Sequence, residues 1–400
     1  TYRFLDDLYS EVVPLLPLPF FNVCCDEVAG LGDGPAKDLV AQLGPGGAYV
    51  QHMIRIHDLL KNKYGKRMMM WGDIILTHPD RIGDVPKDTI MLTWGYDPKE
   101  SFTHQIEPFS KAGFDFFVCP GVNNWNRILP DFDAAAVNIR NFIRDGAAAK
   151  CLGVLNTAWD DNGETLNAPN WPGFAWGAEC AWNAAAADYE AFNRRLGAVL
   201  FGEPGDHFGQ AVSLLAQTFT LPGMNRMFSD RFFDLELSCP TDELRTRADA
   251  LLALVEPALH HLAECRQQAT ANADFLDTFL FGAARMELIG KRMRTLAKVR
   301  DNFEELRLSH HARIEAPLIG IETRLRKLAA DHDDLARRFI QLSDRENKPY
   351  ARDWTVARYQ KLVKTCNDLA GRIARIRADA IANTPLPSLE DAGLSRPADK

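Results

Sequence analysis

Five short apolar runs, separated by stretches of helical periodicity, restrict this chain more than any other feature. They occupy residues 20–27, 67–73, 90–96, 114–119 and 152–161. Each is apolar in consecutive positions, as a strand covered on both faces must be, and each is too short to cross a membrane. Helical spacing fills the intervals at 4–13, 46–63, 99–112 and 133–144. In the second of these, Tyr49, Met53, Ile56 and Leu60 share one side and basic residues the other. Strands alternating with amphipathic helices predict a parallel sheet.

Beyond about residue 240 the strand signals stop. Long helical patterns rich in Leu, Ala, Arg and Glu run over 241–269, 273–308, 318–345 and 355–381, which reads as a helical bundle. The expected organisation is an αβ portion over 1–205, a linker over 206–240, a bundle over 241–383 and an irregular tail over 384–400. The charge runs of the bundle read as solvated faces, and His260–His261 and His310–His311 as surface residues.

The first strand ends in adjacent carboxylates, Asp26 and Glu27, followed by a glycine-rich exit. In a (β/α) barrel, catalytic groups gather at that end of the strands. Taken alone, such a pair reads as a polar strand end or a helix cap. Its context weighs against that. Trp71, Trp94 and Trp159 each close a strand, and Asp73, Tyr96 and Asp160 follow within two residues. One strand-end Trp is ordinary packing. Three on the face that holds a carboxylate pair suggest aromatic walls suited to a sugar ring.

With those residues in view, the chain resembles glycoside hydrolase family 20, the exo-β-N-acetylhexosaminidases. The strand ending in Asp26–Glu27 is similar to the fourth barrel strand of the family, and Met70-Trp71-Gly-Asp73 and Thr93-Trp94 to its fifth and sixth. Pro120-Gly-Val-Asn-Asn124-Trp125-Asn126 and Thr157-Ala-Trp159-Asp-Asp-Asn162-Gly-Glu164 are similar to a bacterial subgroup. The resemblance covers about residues 1 to 200, with a weaker likeness at Glu346 to Tyr359. It implies a fold of (β/α)8 TIM-barrel type without a counterpart of its first strands, followed by the all-α bundle.

It also implies a retaining, substrate-assisted reaction, one of the exceptions to the usual two-carboxylate scheme. The 2-acetamido oxygen attacks the anomeric carbon, Glu27 serves as acid and then base, and Asp26 orients the acetamido group. Trp71, Asp73, Trp94, Trp125, Asn126, Trp159, Asp160 and Glu164 are the expected substrate contacts. Glu164 reads either as a sugar-hydroxyl ligand at the rim or as a helix cap. Two departures stand out. Many members carry His-x-Gly-Gly before the pair, where this chain has Asn22, Cys24 and Cys25. The sugar-binding Arg of the first strand has no counterpart. An incomplete barrel with Asp26 and Glu27 in an open cleft, completed by an upstream segment, is therefore expected. A non-catalytic carbohydrate-binding protein on the same fold is the alternative.

Composition narrows the field further. A formal net charge of −8 argues against general nucleic-acid binding. No apolar run reaches the length of a membrane span. Eight cysteines without a CxxC pair suggest reduced thiols and favour the cytoplasm. A chain opening on Thr1 leaves secretion open. No cofactor or metal is expected, the glycine-rich exit lacks the GK[ST] of a phosphate loop, and the helical region offers a route to a homodimer.

Overall fold

The computed structural model describes residues 1–159, 161, 164, 166–308, 314–350, 352–382 and 384–397. It divides into two compact units. The first comprises Thr1–Asn123, Ala134–Thr157 and Gly173–Ala187, and the second Asn124–Asp133, Ala158–Pro172 and Asp188–Lys400.

The first unit opens with α1 (Tyr2–Val12), followed by β1 (Phe20–Asn22), α2 (Lys37–Tyr64), β2 (Arg67–Trp71) and a short α3 (Asp73–Leu76). Next come β3 (Ile90–Trp94), α4 (Thr103–Lys111), β4 (Asp115–Cys119), α5 (Phe132–Ala148) and β5 (Gly153–Val154). The strands form one parallel sheet in the order β1-β2-β3-β4-β5. Phe21 pairs with Met68, Met70 with Met91, Leu92 with Phe117 and Val118 with Val154. The expected α/β portion is therefore present as a five-stranded parallel sheet, not as a closed barrel. Several strands are shorter than their apolar runs. The fifth keeps two residues, although a bridge between Gly121 and Thr157 carries the pairing further.

Strand alternation sorts the side chains onto two faces. Met68, Met70, Met91, Phe116 and Val118 pack with Met53, Ile56 and Leu60 of α2, Ile106 and Phe109 of α4, and Phe142 of α5. Trp71, Leu92 and Cys119 form a separate cluster on the other face, with Met69, Trp94 and Phe117 against it. Burying each such side chain contributes about 1.5–3 kcal/mol. Gly44, at φ 73°, precedes Pro45 and breaks α2, so the regular amphipathic stretch begins near residue 46 as its periodicity suggests. Gly72 has a steric reason: a Cβ there would lie 2.5 Å from Phe109 Cζ.

Helices α6 (Trp171–Trp182), α7 (Tyr189–Phe201) and α8 (His207–Thr218) lead to the long helices of the second unit. These are α9 (Thr241–Gln268), α10 (Ala273–Leu308), α11 (Glu315–Glu346) and α12 (Arg352–Ile381). Residues 206–240, read from sequence as a linker, contain α8 and an irregular run that α10 holds in place. Arg285, Arg292 and Arg300 stand seven and eight positions apart, on one stripe of α10. Arg285 Nη1 donates to the Phe228 carbonyl at 2.8 Å and Arg292 Nη1 to the Phe232 carbonyl at 2.8 Å. Arg300 donates to the carbonyls of Cys239 at 2.6 Å and Leu237 at 2.8 Å. The run pairs part of its backbone in short 3-10 turns, and this ladder of buried guanidinium groups takes up further carbonyls. Residues 384–397 carry no helix or strand, and within them Ala392 and Leu394 are buried and the Leu394 carbonyl accepts from Arg300 Nε at 2.7 Å. His310 and His311 lie outside the described residues.

Arg292 also pairs with Glu236 and faces His332 Nε2 at 3.4 Å. His332 Nδ1 donates to the Leu328 carbonyl at 2.8 Å, which leaves Nε2 as the acceptor. Burial, then the Arg292 charge, push the His332 pKa down to about 3. The folded form holds this proton less tightly than the unfolded chain does. The contribution to stability is therefore full above about pH 6.5 and is lost as pH falls from there toward about 3. His332→Gln should flatten the melting temperature against pH in that window, and superimposable profiles would remove this account of acid sensitivity.

Candidate active site

Beyond β1 the backbone stays attached to the sheet while its side chains change environment. Val23 N–H donates to the Met69 carbonyl at 2.9 Å, and Trp71 N–H to the Cys24 carbonyl at 3.0 Å. The chain then takes a strained path, with φ of 60° at Cys24, 69° at Cys25 and 48° at Glu27. Residues other than glycine adopt this region at a penalty of about 1–2 kcal/mol each. The two positions where the resembling family often carries glycine thus keep glycine-like backbone here with cysteine side chains. Cys24 is exposed and is not among the side chains of the hydrophobic core. Cys24→Gly should raise stability by about 1 kcal/mol, less the extra flexibility that glycine gives the unfolded chain. A lower urea midpoint for the variant would contradict the strain argument.

The corner is braced from three sides. Asn22 Oδ1 accepts from Cys24 N–H at 2.9 Å. The Tyr49 hydroxyl donates to the Cys25 carbonyl at 2.9 Å. Asp73, at the start of α3, accepts the Glu27 N–H on Oδ2 at 2.9 Å. Its other oxygen, Oδ1, is buried and has no hydrogen-bond partner among the described residues. Asp26 is half-buried and Glu27 exposed. Two carboxylates are thus presented at the carboxyl end of an edge strand, and a third fixes the peptide of the second.

The neighbouring thiols are poor nucleophiles. Burial, followed by the charges of Cys24, Asp26 and Asp73, pushes the Cys25 pKa up to about 12. Burial and then Asp26 also raise that of Cys24. Both are protonated at neutral pH, which leaves the carboxylates as the reactive groups of the corner. Trp71 is buried on the face of the sheet that also carries Trp94. Trp94 is half-buried and stacks on Tyr96, with ring centroids 5.0 Å apart and planes at 25°. Asp26, Glu27, Trp71, Asp73 and Trp94 all belong to the first unit.

The remaining expected contacts belong to the second unit or fall outside the description. Trp125 and Asn126 are half-buried in the loop before α5. Trp159 is 38% exposed, and buried Asn124 holds its backbone from both ends. Asn124 Nδ2 donates to the Trp159 carbonyl at 3.0 Å, and Asn124 Oδ1 accepts from Trp159 N–H at 3.1 Å. Asp160 lies outside the described residues. Glu164 differs from both sequence readings. It is fully buried, accepts from Arg285 Nη2 at 2.9 Å and from the Tyr359 hydroxyl at 2.7 Å, and so serves the core of its unit rather than a rim. Sequence pattern missed Asn22, Tyr49 and Asn124 as positioning residues, because nothing local marks a side chain that braces a distant backbone.

Among the described residues, no group of three His, Cys, Asp or Glu is placed to hold a metal ion. No helix among them is long and apolar enough to cross a membrane.

No family model matches the chain. A stretch of 138 residues is 28% identical to a beta-hexosaminidase from Vibrio furnissii, covering 33% of this chain and 21% of that protein. The match thus spans about a fifth of the relative's length. Among solved structures, the chain is similar to a GH138 enzyme targeting pectin rhamnogalacturonan II, at 10% identity and a TM-score of 0.45. That alignment covers 88% of this chain and 62% of the other. A likeness of this size carries no argument about substrate.

Proposed function

We propose that the Asp26–Glu27 corner is the catalytic pair of an exo-acting, retaining glycosidase that removes terminal β-linked N-acetylglucosamine or N-acetylgalactosamine. The observation that carries this reading is the pair itself: adjacent carboxylates at the carboxyl end of a parallel strand, with the Glu27 peptide anchored on Asp73. Trp94, half-buried near the end of a neighbouring strand, offers flat apolar surface on the same unit, with Trp71 buried in the cluster beneath it. The partial likeness to a beta-hexosaminidase agrees with it.

In this mechanism Glu27 donates a proton to the glycosidic oxygen as its bond to the anomeric carbon breaks. The acetamido oxygen of the substrate bonds to that carbon and yields an oxazolinium ion. Asp26 accepts the acetamido N–H and stabilises the positive charge as it develops. Glu27, now ionised, takes a proton from the water that opens the ring, and the anomeric configuration is retained. No metal or cofactor takes part. The αβ portion carries the chemistry in this reading.

Chromogenic β-GlcNAc and β-GalNAc glycosides test it directly. Turnover of at least one is the expected result, and inert behaviour of folded protein toward both rejects it. A non-catalytic carbohydrate-binding role has one observation in its favour, the Asn22-Val-Cys-Cys sequence before the pair. It predicts calorimetric binding of the sugar without cleavage.

A further inference from the structure

Both peptide groups that flank Asp26 are held by side chains from other elements. On its amino side, the Cys25 carbonyl accepts from the Tyr49 hydroxyl of α2 at 2.9 Å. On its carboxyl side, the Glu27 N–H donates to Asp73 Oδ2, at the start of α3, at 2.9 Å. The backbone that aims the two carboxylates runs between these anchors, and φ at Glu27 is 48°. A residue with a Cβ persists in that region only where its surroundings hold it there. A carboxylate accepting a backbone N–H can do so, because such a charge-assisted bond is about twice as strong as a neutral one.

Neither anchor is itself loose. Tyr49 is buried in the core on the helical face of the sheet. Asp73 follows Gly72, whose N–H donates to the Leu92 carbonyl at 2.9 Å, so the start of α3 is tied to β3.

Sequence pattern placed Asp73 among the sugar contacts, but its oxygens are engaged otherwise. Oδ2 holds the Glu27 peptide. Oδ1 is buried, without accessible surface for a sugar hydroxyl.

We infer that Tyr49 and Asp73 are positioning residues of the Asp26–Glu27 pair, and that Asp73 serves Glu27 rather than the sugar. The inference rests on the glycosidase reading of this corner. Tyr49 fixes the peptide before Asp26 and Asp73 the peptide after it, so both carboxylates are aimed by side chains that touch no substrate.

Steady-state kinetics of the full chain on the chromogenic glycoside that it turns over, with hydrogen exchange read by mass spectrometry over residues 20–28, tests the inference. Asp73→Ala should lower kcat by about 10²-fold, the cost of a misplaced catalytic group, and leave KM within about twofold. Asp73→Asn keeps an acceptor oxygen and should recover kcat to within about tenfold of the parent. Tyr49→Phe keeps the ring in the core and should lower kcat by about tenfold, again at constant KM. Exchange over residues 20–28 should quicken in Asp73→Ala and stay near the parent rate in Asp73→Asn. A sugar ligand would behave differently, with KM rising in both Asp73 variants. That result would overturn the inference, as would kcat within about twofold of the parent in both Asp73→Ala and Tyr49→Phe. An inert parent would reject the glycosidase reading itself. In that case quickened exchange in Asp73→Ala would uphold the anchors, and unchanged exchange would overturn them.

Discussion

Glu27→Gln should lower turnover of a β-N-acetylhexosaminide with a poor leaving group by about 10²–10⁴-fold, the range that general acid–base catalysis supplies. The same variant should lose much less on a nitrophenyl glycoside during the glycosylation step, because a good leaving group needs little protonation. Asp26→Asn should behave differently. In the proposed mechanism its carboxylate stabilises charge on the acetamido group, which every substrate of that class carries, so the loss should be similar across leaving groups. Single-turnover rates over a series of phenyl leaving groups separate the two roles. Parallel lines for both variants would end this division of labour. Neither residue belongs to the hydrophobic core, so folded variants are expected and the readout is chemical rather than structural.

A second large effect is expected in the helical unit. Arg285→Ala should destabilise it by about 3–5 kcal/mol, because the fully buried carboxylate of Glu164 would lose its 2.9 Å ion pair with Arg285. The same change removes the donor to the Phe228 carbonyl and the guanidinium 3.8 Å from the Phe232 ring. For a unit of this size the melting temperature should fall by roughly 10 °C. Adding Glu164→Gln to an Arg285→Met background should recover much of the loss, since both charges of the Arg285–Glu164 pair are then removed together. Should the single variant melt within a degree or two of the parent, the ion pair would not be a determinant of stability.

These two expectations differ in how much of their basis was visible in the sequence. Asp26 and Glu27 stand at the end of an apolar run, and strand-end position follows from local pattern. Trp71 and Trp94 are legible for the same reason, through repetition of that pattern. Glu164 is not. Its partners lie 121 and 195 positions away, and a lone carboxylate beside a Trp-rich loop reads as surface chemistry until its neighbours are known. The strain at Cys24 and Cys25 was half legible: a departure from glycine could be seen, but only the backbone geometry shows that glycine-like φ is retained.

By itself, the order of hydrophobic periods determined a parallel αβ portion followed by long helices, because burial of one face is enforced residue by residue along each element. It also placed the carboxylate pair at a strand end. Tertiary structure decided which polar residues stay at the carboxyl end of the sheet and which serve the core, because that depends on countercharges brought from distant segments. It turned the expected linker into a run clamped by three buried arginines, and docked the tail through Leu394. It also left Asn193 Oδ1 without a donor among the described residues, a property of the α7–α8 crossing that local sequence cannot express.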